Sequence, residues 1–394
     1  MASIRVLGCL TAACLAATAT AGAAERPVWF GTYTGPKTGA EGIYVARYDD
    51  ATGTVSAPEL AVPALSPSFL ALHPSLPVLY AAADVTADDG TRVGGVQAFA
   101  IDPATGRLTP RSHQPSGGAG PCHVSIDRDG RVALAANYGG GSAICLALRA
   151  DGDLAPVTAG EPGGFLQHVY DRQPDEGFNV RRQEKPHAHS IDPTPDGRFA
   201  IVCDLGLDKV FVHALDRERA MLAPHGFAAT KAGAGPRHFA LHPDGRFGYC
   251  VNELDLTVTA FAFDPQAGTL TEMQTLPTLP DEVADRQGFT TAEIAVHPTG
   301  RFLYVSNRGH DSLAAFAVHP VNGQLTFLGT EPARVKTPRH FAIAPDGRFL
   351  LAAGQDSGTV AIFALDSKTG RLSFTDRTIA VPKCVCICFQ PRGD

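Results

Sequence analysis

The sequence repeats one short pattern at intervals along the chain. The segment PRHFALHPDGRFGYCVNE (236–253) recurs with substitutions at 292–308, 338–355, 188–205 and 121–138, and in a degraded form at 67–84. Each copy contains a short apolar run, a turn, in most copies with glycine, a second apolar run and then polar residues. A unit repeated in constant register is typical of a propeller or a solenoid, because each unit completes its core only against its neighbours.

A second turn pattern alternates with the first. It starts with Asp or His, contains Gly in most copies, and begins at Asp49, Asp102, Asp151, Asp216, Asp264, His319 and Asp366. Turns of this composition join antiparallel strands in hairpins. The seven copies therefore predict an all-β fold, a seven-bladed β-propeller with four strands in each blade.

The first pattern has six copies and the second has seven. Strands near the two ends of the chain account for this difference. Segment 383–391, KCVCICFQP, resembles an inner strand without its partner, and the apolar runs 28–35 and 42–49 near the N-terminus supply the other strands. We expect strands from both termini to form the seventh blade and close the ring, because closure leaves no exposed sheet edge.

The N-terminal segment predicts export. Residues 1–23 contain Arg5 as their only charge, then an apolar run, and end in the small-residue cleavage site Ala21-Gly22-Ala23, which is typical of a signal peptide. The run is shorter than the roughly 20 residues that span a bilayer. We expect a periplasmic or secreted protein in which residues 24–394 form a single domain with no membrane attachment after cleavage.

Charge and composition restrict the partners. The net charge is −7 and there is no basic block, so we expect no binding to nucleic acid. We expect a monomer or a weak homodimer.

Seven cysteines follow the signal peptide, and most lie within apolar runs. We interpret them as small core residues. Cys384, Cys386 and Cys388 alternate, which predicts that they share one face of a strand, with a metal site as the alternative.

Aligning the copies on their turn glycines shows which residues share one end of the propeller. The glycine turns lie at one end of the propeller. Residues that begin the first strand of a blade, and residues that follow its second strand, lie at the other end. Because the first strand is innermost, these positions surround one mouth of the central channel. They include His189, Arg237, Glu253 and Arg308, which we predict to be catalytic, and His187, His123, His238, Glu293, Arg339 and His340, which we predict to bind substrate.

Ionisable side chains from different blades lie together at this predicted mouth. Burying such groups costs free energy, which favours a functional site at this position. Arg237 and Arg308 suit the binding of a carboxylate or phosphate and the stabilisation of an oxyanion. Glu253 can take a proton from water, and His189 or His238 can be its acid partner. The structural alternative is that single His and Arg side chains only bind the backbone of a neighbouring blade.

A metal site is the other chemical alternative. His187 and His189 could hold a metal with Asp204 or Glu253 as an oxygen ligand. The two flanking arginines would repel a cation, so we expect no metal and no cofactor. The polar residues after the second strands are expected mainly to shape turns; they are Asn137, Asp204, Asn252 and Asn307.

Several motifs occur in order along the chain. They are Gly120-Pro-Cys-His123, Ala136-Asn-Tyr-Gly-Gly140, Pro186-His-Ala-His-Ser190, Asp204-Leu-Gly206, Gly235-Pro-Arg-His238, Asn252-Glu-Leu254, Ser306-Asn-Arg-Gly-His310 and Pro338-Arg-His340. In these motifs the chain resembles the seven-bladed β-propeller lactonase family, which includes the bacterial type of 6-phosphogluconolactonase and the fungal 3-carboxymuconate cyclase. The resemblance extends from Phe30-Gly-Thr-Tyr33 to the C-terminus.

The resemblance implies cleavage or formation of a lactone ring without metal. It implies an active group of Arg237, Glu253, Arg308 and a histidine of the segment 186–190, and a small anionic lactone as substrate. The export signal favours a sugar lactone or a carboxylated lactone outside the cytoplasm over a cytosolic phosphorylated intermediate. Two alternatives remain, namely a cycloisomerase that uses the same residues, and a non-catalytic propeller that binds an anionic ligand or a protein.

Overall fold

The fold is known from a computed structural model that describes residues 25–87, 89–157, 164–171 and 179–392. These residues contain 28 strands and no helix. Accordingly, no helix of membrane-spanning length and hydropathy occurs among them. The predicted signal peptide lies outside the described residues.

The strands follow one another in chain order, joined by turns and loops. The first fourteen are β1 (Glu25–Thr32), β2 (Gly42–Asp49), β3 (Glu59–Pro63), β4 (Phe69–Leu72), β5 (Val78–Thr86), β6 (Arg92–Ile101), β7 (Leu108–Pro115), β8 (Pro121–Ile126), β9 (Val132–Asn137), β10 (Ser142–Ala147), β11 (Leu166–Gln167), β12 (Ala188–Pro193), β13 (Phe199–Asp204) and β14 (Lys209–Asp216). The others are β15 (Met221–Ala229), β16 (Pro236–Leu241), β17 (Phe247–Asn252), β18 (Thr257–Asp264), β19 (Thr269–Pro277), β20 (Thr290–Val296), β21 (Phe302–Arg308), β22 (Ser312–Val318), β23 (Leu325–Pro332), β24 (Pro338–Ile343), β25 (Phe349–Gly354), β26 (Thr359–Leu365), β27 (Leu372–Ala380) and β28 (Cys384–Phe389).

The strands form seven four-stranded antiparallel sheets, which are the blades. Blades 1 to 6 are β4–β7, β8–β11, β12–β15, β16–β19, β20–β23 and β24–β27, and blade 7 has the order β28-β1-β2-β3. The first strand of each blade contacts the first strand of the next, and β28 contacts both β24 and β4. These contacts close a ring, so the prediction of a seven-bladed propeller closed by both termini is confirmed.

The two turn patterns are the hairpins that the sequence predicts. The turn between β20 and β21 contains Gly300 at a φ of 73°, a left-handed conformation that favours glycine. The second strands are almost wholly apolar because they are covered on both sides, and every residue of β13 and β17 is buried. Apolar clusters between adjacent blades then form the core, as between Tyr249 in blade 4 and Phe316 in blade 5.

The three C-terminal cysteines do not share one face. Cys386 and Cys388 pack in the core towards blade 1, whereas Cys384 packs in the core towards blade 6. The prediction from simple alternation is therefore wrong. Its physical reason is a register shift, because Gly31 pairs with Cys386 while the next residue, Thr32, pairs with Cys384. All seven cysteines after the signal peptide are free thiols.

Candidate active site

A β-bulge at the start of the inner strand shapes the channel mouth in several blades. In blade 4 the pairing of β16 with β17 skips Arg237, which lies between the paired residues Pro236 and His238. The same shift occurs in blades 2, 3 and 6, where the skipped residues are Cys122, His189 and Arg339. In blade 5 the shift skips two residues, Ala292 and Glu293.

The bulge puts two consecutive side chains on the same side of the strand. Neighbours in a regular strand point to opposite faces, but a bulge re-aims one of them. In blade 4 Arg237 contacts Glu253, and the next residue, His238, contacts Glu293. The mouth therefore has two layers. In blades 2, 4 and 6 the skipped residue belongs to the outer layer, and the histidine that follows it belongs to the second layer.

The outer layer is organised around Glu253. This carboxylate and three arginines form the charge cluster, defined as Glu253, Arg182, Arg237 and Arg308. Nη2 of Arg182 donates to Oε1 of Glu253 at 2.7 Å. Nε of Arg237 donates to Oε2 at 3.1 Å, and Nη2 of Arg308 lies 3.1 Å from the same oxygen. One carboxylate cannot neutralise three guanidiniums, so the charge cluster is net positive.

Burial and the arginines act in opposite directions on Glu253. Burial favours the neutral acid, but the charges of Arg308, Arg237 and Arg182 outweigh it and lower the pKa of Glu253 to about 2. Burial, together with the charges of Arg339 and Arg308, lowers the pKa of Arg237 to about 10. At neutral pH Glu253 is therefore ionised and its arginine partners remain charged.

His189 lies beside the charge cluster. Its ring centroid is 5.2 Å from that of Tyr138 and 5.2 Å from that of His238. Burial, the charge of Arg237 and the proximity of His238 lower the pKa of His189 well below its ordinary value. The imidazole is thus neutral at neutral pH and can accept a proton.

His189 and the charge cluster, except for the buried Arg237, lie on the wall of one cavity of about 510 Å³. Its lining includes His189, Glu253, Arg308 and Arg339, with Tyr33, Tyr138 and Arg182. Arg339 has no carboxylate partner among the described residues, and its guanidinium lies 5.4 Å from the centroid of the Tyr33 ring. The buried Nε of Arg308 also lacks a partner in the described part of the chain. A second carboxylate, Asp84, also lines the cavity, but it is paired with Arg92 at 2.8 Å. The arginines outnumber the carboxylates, so the cavity is suited to an anion rather than to a cation.

The second layer is the histidine cluster, defined as His123, His238, His340 and Glu293. Oε1 of Glu293 is 3.0 Å from Nδ1 of His238, and its Oε2 is 3.4 Å from Nε2 of His340. The His123 ring contacts the His238 ring, with centroids 5.3 Å apart. All four residues are buried and none lines the cavity. Burial lowers the pKa of His340 to about 4. Their position behind the wall argues against direct contact with substrate, because the bulge places the preceding residue in front.

His187 lies beside the cavity rather than on its wall. Its ring stacks on Tyr138 with centroids 4.4 Å apart, and its Nδ1 lies 2.9 Å from the Tyr138 carbonyl oxygen. Nε2 lies 3.1 Å from Oε1 of Glu184. Of the two histidines in the segment 186–190, the structure therefore brings His189 and not His187 to the cavity.

The polar residues after the second strands mostly shape the local backbone. Nδ2 of Asn137 donates to the Ser116 carbonyl and to the Ser142 hydroxyl, both at 3.0 Å. Oδ1 of Asp204 accepts the backbone N–H groups of His187, Gly206 and Leu207. Asn252 and Asn307 likewise bind neighbouring hydroxyl groups.

The comparison with known proteins agrees with this architecture. The sequence profile of the family described as "Lactonase, 7-bladed beta-propeller" matches residues 27–389. The chain belongs to this lactonase family. It is 36% identical over 315 residues to the 6-phosphogluconolactonase of Bacillus subtilis, covering 79% of this chain and 83% of the relative. It is 30% identical over 319 residues to the 6-phosphogluconolactonase of Formosa agariphila, covering 80% and 85%.

A solved structure extends this lactonase likeness to three dimensions. The periplasmic gluconolactonase of Pseudomonas aeruginosa superposes with a TM-score of 0.82 at 34% identity, covering 93% of this chain and 99% of that structure.

Arg182 and Tyr138 line the cavity of this lactonase family member but are not among the catalytic or substrate-binding residues predicted from the sequence. Tyr138 follows a second strand, so its register position indicates the mouth. Arg182 belongs to the long polar insertion 161–185, which also contains Arg172 and Arg181. Nothing in the sequence distinguishes these arginines, whereas the structure shows that Arg182 binds Glu253 and that Arg181 is exposed. Arg172 lies outside the described residues.

Proposed function

We propose that the protein hydrolyses a lactone in the cavity at the channel mouth. One observation carries the proposal: a single ionised carboxylate, Glu253, lies within hydrogen-bonding distance of three guanidiniums at a cavity of about 510 Å³. The family and the names of its relatives support lactone hydrolysis. The expected substrates are sugar lactones and lactones with an additional carboxylate or phosphate group.

The reaction adds water to the ring carbonyl and opens the ring. Glu253 takes a proton from the attacking water, and the oxygen of that water bonds to the carbonyl carbon. Arg308 stabilises the negative charge on the former carbonyl oxygen, and the buried Arg237 adds its positive charge from behind the cavity wall. Collapse of this intermediate breaks the bond between that carbon and the ring oxygen. The ring oxygen receives, through His189, the proton that Glu253 took from water, and Glu253 returns to its ionised form. The open-chain hydroxy acid then loses its carboxyl proton to solvent.

We also propose that the protein works outside the cytoplasm. The signal peptide predicted over residues 1–23 supports this, and one structural relative is named a periplasmic gluconolactonase. The substrate is then a lactone present in the periplasm or in the medium.

A panel of lactones, assayed by acid release against an enzyme-free blank, tests the proposal. Saturable acceleration on at least one sugar lactone is expected. Saturable binding without turnover across the panel would instead support a non-catalytic propeller. Lactone formation from an unsaturated dicarboxylate, without hydrolysis, would support the cycloisomerase alternative.

The pH dependence follows from the charge states of the two proton-transfer groups. Glu253, with a pKa of about 2, stays ionised, and His189, with a pKa well below its ordinary value, stays neutral at neutral pH. We therefore expect kcat/KM to stay nearly constant across the pH range in which an ordinary histidine titrates, since this quantity reports the free enzyme. A steady fall below a midpoint near about pH 6.5, the ordinary histidine value, would contradict these assignments.

A further inference from the structure

Arg182 differs from the other two arginines of the charge cluster in the part of the fold to which it belongs and in the solvent exposure of its side chain. Arg237 belongs to an inner strand and Arg308 to a second strand, whereas Arg182 belongs to the insertion that precedes blade 3. The Arg182 side chain is 37% exposed, compared with 3% for Arg237 and 13% for Arg308. It is therefore the partner of Glu253 that can move with the least loss of packing.

The two oxygens of Glu253 have separate partners. Oε2 is shared by Arg237 and Arg308, whereas Oε1 binds Arg182. Oε1 is therefore the oxygen that becomes available to a water molecule when Arg182 leaves. Departure of Arg182 also removes one of the three charges that depress the basicity of Glu253.

Arg182 cannot hold Glu253 and grip an acid group bidentately through its two terminal nitrogens at the same time. Such a grip uses both Nη atoms. Nη2 is the atom that donates to Glu253, at 2.7 Å, and to the Tyr138 hydroxyl, at 2.9 Å. An acid group that Arg182 grips bidentately therefore competes with Glu253 for the same guanidinium nitrogen.

We propose that Arg182 is a specificity-determining residue that an acid group on the substrate draws away from Glu253. The inference rests on the proposed lactone hydrolysis. In the free protein Arg182 covers Oε1 of Glu253. A lactone with a carboxylate or phosphate group binds Arg182, and Glu253 becomes free to accept a proton from water. A neutral lactone has no group that draws Arg182 away, so Glu253 stays covered.

The test compares R182Q with the wild-type protein on three substrates: neutral glucono-δ-lactone, 6-phosphoglucono-δ-lactone and a monolactone of glucaric acid. We expect the ratio of kcat/KM for acidic over neutral lactone to fall by about tenfold or more, because a charge-assisted bond to the acid is lost. The kcat for the neutral lactone is expected to rise, since Oε1 is then uncovered. A fall confined to one acidic substrate would identify phosphate or carboxylate as the group recognised.

R181Q is the matched control, because Arg181 is the exposed neighbour of Arg182 and its variant should keep all wild-type ratios. Thermal unfolding of R182Q verifies that it is folded. An unchanged ratio, or an equal loss on neutral and acidic lactones, would overturn the inference while leaving the proposed function intact. A wild-type protein inactive on every lactone would overturn the proposed function, and this inference with it.

Discussion

Replacing Glu253 with glutamine is expected to lower kcat on an active lactone by about 100- to 1000-fold, the loss typical of removing one preorganised group from a reacting centre. Glutamine has nearly the same shape but cannot accept a proton from water. It also leaves Arg237 and Arg308 buried without a counter-charge. The measurement is initial rate of acid release at saturating lactone, after subtraction of the enzyme-free rate.

Two further variants make this result decisive. E282Q, at an exposed glutamate away from the cavity, is expected to keep wild-type turnover and controls for the loss of a carboxylate. R308A removes a donor of the charge cluster and is expected to lose activity as well. Full turnover in both E253Q and R308A, with folding verified by thermal unfolding, would show that the charge cluster does not carry the chemistry.

Ending the chain after Lys383 is expected to abolish cooperative folding. This truncation removes β28, the inner strand of blade 7, which pairs with β1 and contacts β4 and β24. Val385 and Ile387 are each 3% exposed, and burial of such a side chain contributes about 1.5–3 kcal/mol. Together with the lost strand pairing and the opened ring, the loss approaches the roughly 5–15 kcal/mol that stabilises a whole domain.

Ending the chain after Gln390 is the matched control. It keeps all of β28 and removes Arg392, a half-exposed residue whose ion pairs contribute about 0–1 kcal/mol. Urea unfolding followed by near-ultraviolet circular dichroism measures both proteins. A cooperative transition in the shorter protein at the wild-type midpoint would contradict ring closure by the C-terminal strand.

The ring and its closure could be predicted from the sequence because both depend on pattern alone. The turn glycines put the apolar runs in register, and the lone inner strand at 383–391 required a partner from the N-terminus. The structure confirms this arrangement in blade 7. The same register brought His189, Glu253 and Arg308 to one cavity wall, with Arg237 bound behind them.

The depth of each side chain in the channel could not be predicted, because it depends on the bulges. A bulge changes which face a residue occupies without a signal in composition or periodicity. The bulges in blades 2, 4 and 6 place His123, His238 and His340 behind the residues that precede them. A similar shift separates Cys384 from Cys386.

The contribution of Arg182 to the site depends on a loop, and loop conformation has no periodic signal. The insertion 161–185 interrupts the repeat, so the blade register does not extend to it. The Arg182 side chain reaches Glu253, which is 71 residues later in the sequence. Only the three-dimensional structure can relate two such positions.

The central claim is that His189, Arg237, Glu253 and Arg308 act together on one lactone at the channel mouth. A crystal structure of the protein with a non-hydrolysable lactam analogue of an active lactone tests it most directly. We predict that the lactam carbonyl oxygen lies within hydrogen-bonding distance of Arg308, with its carbonyl carbon facing Glu253. A lactam bound at the opposite end of the channel, or on the outer rim of the blades, would contradict the claim.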